Sequence, residues 1–134
     1  MSRLTPLHDL PQSFRYEQRE LETAGINTWG ALLDLSDLQL SRLCRSGRAT
    51  ARNLKRLRGM AELVCNLELA PADAALLMHS GIATISALAA SSPQDVVLRT
   101  GRLERQLRAG RPPVVDLVVA RRWIRTAQAW QPKN

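Results

Sequence analysis

The chain has 134 residues, of which 45% are hydrophobic, enough apolar material for the core of one domain or two very small ones. Its 19 Lys and Arg residues outnumber 12 Asp and Glu residues, and the net charge of +7 at pH 7 predicts an anionic partner. Apolar runs far shorter than about 20 residues argue against a membrane span.

The first ten residues are interpreted as an N-terminal extension, and residues 131–134 as a polar tail. Pro6, His8 and Asp9 interrupt the N-terminal segment, which therefore lacks the apolar run of a secretory signal. We accordingly expect the protein to be cytoplasmic.

Two similar segments follow, "GINTWGALLDLS" from Gly25 and "GIATISALAASS" from Gly81. In each copy a helical run ends at the glycine, because glycine tolerates the left-handed conformation that ends helices. Thr28 and Thr84 are then placed as N-caps of a short helix. The segments therefore indicate a duplicated helical unit.

Each copy continues with two more helices. Ser36 and Ser92 are predicted to begin the third helix, with Gln39 and Asp95 three positions on as capping partners. A fourth helix is predicted from Arg48 to about Val64 in the first copy and from Pro113 to about Trp130 in the second.

These elements predict an all-α protein of two tandem helical repeats, residues 11–66 and 67–130, packed as a pseudo-dimer. Gly47 and Gly110, which precede the fourth helices, are farther apart in sequence than Gly25 and Gly81, so the second repeat should hold about seven extra residues. We expect six leucines in the core: Leu32, Leu54, Leu57, Leu77, Leu88 and Leu117.

Basic residues concentrate on one face of the fourth helices. A solvated helix surface gives the same pattern, but no acidic residue between Asp37 and Glu62 offsets the repulsion, which favours a binding face. In repeat 1 the candidate binding residues are Arg45, Gly47, Arg48, Arg52, Lys55 and Arg56. In repeat 2 they are Arg108, Arg111, Arg121, Arg122 and Arg125.

The "GI-x-T-x-x-x-L" turn in both copies, each time followed by a closing amphipathic helix, resembles the uncharacterised bacterial family called domain of unknown function 4332. The resemblance extends from about residue 11 to residue 127 and implies tandem helix-hairpin-helix-like (SAM-like) repeats. The broader superfamily implies DNA binding without sequence specificity, in which a glycine-rich hairpin presents backbone N–H groups to a phosphate.

The glycine pattern departs from that superfamily at two hairpins. Residues 68–71 read Glu-Leu-Ala-Pro where Gly-Ile-Gly-Pro is expected, and residues 12–15 also lack glycine. Phosphate binding by the backbone is therefore expected to be lost at both. The surviving hairpin is "LCRSGRATARNL", residues 43–54, which keeps Gly47 among three arginines.

Catalytic motifs are absent from the sequence, and we expect no enzyme activity, no metal, no cofactor and no small-molecule substrate. His8 and His79 stand without a nucleophile motif, and His79 is interpreted as a helix-end residue. Cys44 and Cys65 form no C-x-x-C pair, which favours buried free thiols over a zinc or redox site.

Two functions from different classes remain. The first is a non-catalytic adaptor that binds the phosphates of DNA or RNA through two arginine faces. The second is a scaffold or assembly factor that binds an acidic surface of a partner protein. The charge favours the first and the missing glycines favour the second. Five aromatic residues are too few for the stacking platforms that single-stranded nucleic acid usually requires.

Overall fold

The computed structural model describes residues 2–8, 10–107 and 115–130. Over these ranges the chain forms eight α-helices and no strand, so the all-α prediction is confirmed. None of the described helices has both the length and the apolar character needed to cross a membrane. The helices are α1 Arg15–Thr23, α2 Trp29–Leu33, α3 Asp37–Leu43, α4 Ala51–Asn66, α5 Pro71–His79, α6 Ile85–Ala89, α7 Pro93–Leu107 and α8 Leu117–Ala129.

The chain divides into two compact units, Met1–Glu68 and Leu69–Asn134, with α1 to α4 in unit 1 and α5 to α8 in unit 2. The starts of α5, α6 and α7 follow one another at the same spacing as the starts of α1, α2 and α3. The extra residues of the second copy lengthen its third helix, since α7 has 15 residues and α3 has seven.

The end of the first helix is built in the same way in both units. Gly25 has a φ of +79° and Gly81 a φ of +89°, both in the left-handed region. The amides of the following residues, Ile26 and Ile82, each donate a hydrogen bond of 2.9 Å to a carbonyl of the preceding helix. These bonds satisfy carbonyls that a helix end leaves unpaired.

The predicted N-caps are also confirmed. Thr28 accepts a hydrogen bond from the N3 amide of α2 at 3.2 Å, and Thr84 does the same in α6 at 3.0 Å. Ser36 and Gln39 form a full capping box at the start of α3. Ser92 accepts from the amide of Asp95 at 3.1 Å, so local cap chemistry determines where these helices begin.

The fourth helices begin later than predicted. Helix α4 starts at Ala51 rather than Arg48, because Thr50 is its N-cap and accepts a hydrogen bond from Asn53 N at 3.1 Å. Helix α8 starts at Leu117 rather than Pro113, because Asp116 is its N-cap and accepts from Val119 N at 2.9 Å.

Five of the six predicted core leucines are fully buried: Leu32, Leu54, Leu57, Leu77 and Leu88. The prediction for Leu117 is wrong, since this residue is 39% exposed. The late start of α8 explains the error. Leu117 is the first residue of its helix, whereas Leu54 lies one turn inside α4 and packs on its inner face.

Within unit 1, the N-terminal segment packs beside α2. Leu7 N donates to the Asn27 carbonyl at 2.8 Å, just before α2. A Cβ atom placed on Gly30 would lie 2.8 Å from the Arg3 carbonyl oxygen, so only glycine permits this approach. Unit 2 has Ser86 at the corresponding position, and Ser86 is exposed.

Candidate binding site

Four basic residues of unit 1 lie together on the α3–α4 loop and the first two turns of α4. Arg45 and Arg48 belong to the loop, and Arg52 and Lys55 to α4. All four are exposed, and none of them forms an ion pair with a residue that the structure describes. We call these four residues the basic face.

The opposite side of α4 is apolar and buried, with Leu57, Ala61 and Val64 in the core of unit 1. This division follows the period of a helix, in which residues three and four apart share a side. Burial of one side therefore fixes the basic face towards solvent.

Two further cations of α4 are held by other residues of unit 1. The guanidinium of Arg56 is half-buried and stands 5.7 Å from the centre of the Phe14 ring, a cation–π distance. Arg58 donates to Asp37 Oδ1 at 2.8 Å and to the Leu35 carbonyl at 2.9 Å. The hydrogen bond from Arg58 holds the pKa of Asp37 below its ordinary value.

The sequence predicts Gly47 directly before the fourth helix, but α4 begins only at Ala51. Gly47 has a left-handed φ of +80°, and its amide donates to the Cys44 carbonyl at 3.0 Å. Gly47 thus closes the turn after α3, ahead of the Thr50 cap.

The N-terminus of α4 is already occupied by a carboxylate of α1. Glu17 is only 1% exposed, and its Oε2 accepts a hydrogen bond from Thr50 N at 2.9 Å. Its Oε1 accepts from Asn53 Nδ2 at 3.3 Å. Since Thr50 takes up Asn53 N, these donors are not available to an external phosphate.

A second carboxylate stands beside the loop. Ser46 Oγ donates to Glu20 Oε1 at 2.9 Å and accepts from Arg48 N at 3.3 Å. A phosphate approaching the backbone here would meet the negative charges of Glu17 and Glu20. The two carboxylates therefore favour binding of an anion by the side chains of the basic face over binding by the backbone.

The candidate residues of unit 2 are arranged differently. Arg108 and Arg111 lie outside the described residues, whereas Arg121, Arg122 and Arg125 are exposed on α8. The two closing helices align so that three buried positions are paired: Leu57 with Ala120, Ala61 with Ile124, and Val64 with Ala127.

With this alignment Arg52 corresponds to Val115, which is buried, and Lys55 to Val118, which is exposed. The arginines of α8 therefore occupy other positions than Arg52 and Lys55, and the parts of the two predicted arginine faces that lie on the closing helices are not copies of each other. Arg122 also lies near Asp73, where it partly opposes the rise in the pKa of Asp73 that burial causes.

Other reactive groups are dispersed. Cys44 and Cys65 are free, but both are half-buried rather than buried, and burial raises the pKa of the Cys65 thiol. Within the described ranges no three His, Cys, Asp or Glu residues are grouped as a metal site requires.

A shallow cavity of about 470 Å³ in unit 2 is lined by Val97 and residues 115–118 and is mainly apolar.

The sequence interpretation missed Glu17, whose carboxylate joins α1 to the start of α4. The available signal was its place one turn before Leu21, on the side of α1 that packs in the core. A buried carboxylate requires hydrogen-bond donors, so an acidic residue on an apolar helix face predicts such a partner.

A family model described as Domain of unknown function (DUF4332) matches residues 11–130. The chain therefore belongs to this family, as its repeated turn had suggested. Comparisons with curated proteins and with solved structures found no match.

Proposed function

We propose that this member of the family is a non-catalytic adaptor that binds nucleic acid through the phosphate backbone, using the basic face and reading no base sequence. One observation carries the proposal: four exposed cations lie on one short stretch of the chain, and none of them forms an ion pair with a described residue. Such a role implies a cytoplasmic location.

Binding by this surface depends on side chains. Glu17 and the Thr50 cap already use Thr50 N, Asn53 N and Asn53 Nδ2, so a phosphate would be held mainly by guanidinium and ammonium groups. Contacts of this kind release counterions from nucleic acid, and the affinity then falls steeply as salt is added.

The test is a triple substitution on the basic face, Arg45→Ser, Arg48→Ser and Arg52→Ser together. Binding to random-sequence DNA and RNA should weaken for all sequences alike. The slope of log affinity against log salt should decrease in magnitude by about one unit per lost contact, up to about three. Fluorescence anisotropy over a salt series measures both quantities.

A matched control removes the same charge from unit 2, with Arg121→Ser, Arg122→Ser and Arg125→Ser. If the basic face is the site, this control should retain the wild-type salt slope. Equal losses in the two triple variants would show that net charge alone drives binding. No binding by the wild type at about 50 mM salt would refute the proposal, because nonspecific electrostatic attraction is strong there.

A second candidate is a scaffold or assembly factor that binds an acidic surface of a partner protein. The observation in its favour is the position of Glu17 and Glu20, whose carboxylates take the place of a phosphate at the hairpin. This function predicts no nucleic-acid binding, but a protein captured from native cells by the wild type and lost in the unit 1 triple variant.

A further inference from the structure

Tyr16 is an exposed aromatic side chain at the start of α1. It is 42% exposed, whereas Phe14, Trp29 and Trp123 are buried. It is also the only tyrosine of the chain. An exposed aromatic ring offers a surface on which a planar group can stack.

A guanidinium already lies over this ring. The Arg15 guanidinium carbon is 4.6 Å from the Tyr16 ring centre, and Arg15 Nη2 lies 3.4 Å from the tyrosine hydroxyl. Arg15 Nη1 also lies 3.4 Å from the Gln12 carbonyl oxygen, and Arg15 has no acidic partner among the described residues. The pair thus combines an aromatic ring, one face of which Arg15 covers, with a cation that forms no ion pair with a described residue.

Hydrogen bonds join the helix that carries this pair to the elements that carry the basic face. Glu17, the next residue, contacts Thr50 and Asn53 at the beginning of α4. Glu20 of the following turn contacts Ser46 in the α3–α4 loop. Helix α1 therefore runs along the part of unit 1 that carries the basic face.

Unit 2 lacks the aromatic–cation pair at its corresponding positions. Pro71 and Ala72 stand where Arg15 and Tyr16 stand in unit 1. Val118 stands in place of Lys55 of the basic face. The aromatic–cation pair thus occurs in the unit that carries the basic face.

We infer that Tyr16 provides a stacking position for one unpaired base, so that the preferred ligand of the basic face is single-stranded nucleic acid. The inference rests on the proposed function, because the basic face must hold the flanking phosphates. One base on one ring needs no extended platform, and duplex DNA keeps its bases stacked inside the helix.

The test compares a single-stranded oligothymidine with a random duplex of the same length, at about 50 mM salt. Tyr16→Ala should weaken single-strand binding about 5- to 100-fold and leave duplex binding unchanged, because stacking on an aromatic ring contributes only with an exposed base. Tyr16→Phe keeps the ring and should bind like the wild type. Thermal unfolding followed by circular dichroism checks that both variants are folded.

A covalent readout complements the affinities. Irradiation of the wild type with an oligonucleotide that carries 5-iodouracil should produce a cross-link at Tyr16, located by peptide mass spectrometry. A cross-link only elsewhere would overturn the inference.

The outcomes separate the inference from the proposed function. If the triple variant of the basic face loses binding while Tyr16→Ala binds both ligands like the wild type, the stacking site is wrong and phosphate binding stands. If Tyr16→Ala weakens single-strand and duplex binding equally, the stacking site is likewise wrong and phosphate binding stands. If the wild type binds neither ligand, both the function and the stacking site are wrong.

Discussion

Unit 1 and unit 2 share the glycine turns and N-caps that end and begin their helices, but the residues on their surfaces differ. Gly25 and Gly81 close the same turn, and Thr28 and Thr84 cap the same short helix. Two residues of the basic face, Arg52 and Lys55, have no such correspondence, since valines stand at the aligned positions of unit 2. Residues that end and cap the helices thus match in both units, whereas residues on the outer side of α4 differ from those of α8.

An acidic residue at the third position of the first helix also differs between the two units, although here the difference concerns burial. Glu17 is the third residue of α1, and Asp73 is the third residue of α5. Glu17 is buried and bonded to Thr50 and Asn53, whereas Asp73 is half-buried near Arg122. One position has therefore become a structural link in unit 1 and a less satisfied carboxylate in unit 2.

The largest expected difference between the units concerns the leucines of the closing helices. Leu54→Ala should lower the free energy of unfolding by about 2–5 kcal/mol, because it removes a fully buried side chain and leaves a cavity. Leu117→Ala, at the aligned position, should cost less than about 1 kcal/mol, because solvent already reaches that residue. Urea denaturation measures both, and equal costs would show that α8 is packed like α4.

A smaller effect is expected where Glu17 joins α1 to α4. Glu17→Ala should cost about 1–3 kcal/mol, because Thr50 N and Asn53 Nδ2 lose their acceptor in a partly buried place. Glu22→Ala, on the exposed side of α1, is the matched control and should change stability by less than about 0.5 kcal/mol. Similar unfolding midpoints for the two variants would contradict a structural role for Glu17.

Most of the fold could be predicted from the sequence because its signals are local. Gly25, Thr28 and Ser36 act on backbone groups close to them in sequence, so their roles are visible in a short segment. The start of α4 involves a contact between Glu17 and Thr50, 33 residues apart. Local sequence patterns cannot predict a contact between residues so far apart in the chain.

In the candidate site, too, some features follow from local sequence and others from contacts between distant residues. The exposure of Arg48 and Arg52 follows from the helical period, which the sequence shows directly. The position of the Glu17 and Glu20 carboxylates at the hairpin depends on how α1 packs, which only the structure shows. The position of Leu117 was mispredicted because α8 begins at the Asp116 cap.

The smallest expected effect is a pH dependence of stability that arises from Asp73, the residue of unit 2 at the position of Glu17. Burial raises the pKa of Asp73, so the folded protein takes up this proton at a higher pH than the unfolded chain. The free energy of unfolding should therefore fall as the pH rises from about 4 through the folded pKa. Asp73→Asn removes this cost and should be more stable than the wild type at pH 7 by less than about 1 kcal/mol, because solvent screens a half-buried group.

The advantage of Asp73→Asn should shrink as the pH is lowered towards about 4, where the wild-type carboxyl becomes protonated and neutral like the amide. Urea midpoints of the two proteins across this range measure the change. A constant difference at all pH values would mean that the substitution acts through packing or through the start of α5 rather than through charge. A variant less stable than the wild type at pH 7 would instead show that attraction to Arg122 outweighs the burial of Asp73, and that unit 2 uses this acid much as unit 1 uses Glu17.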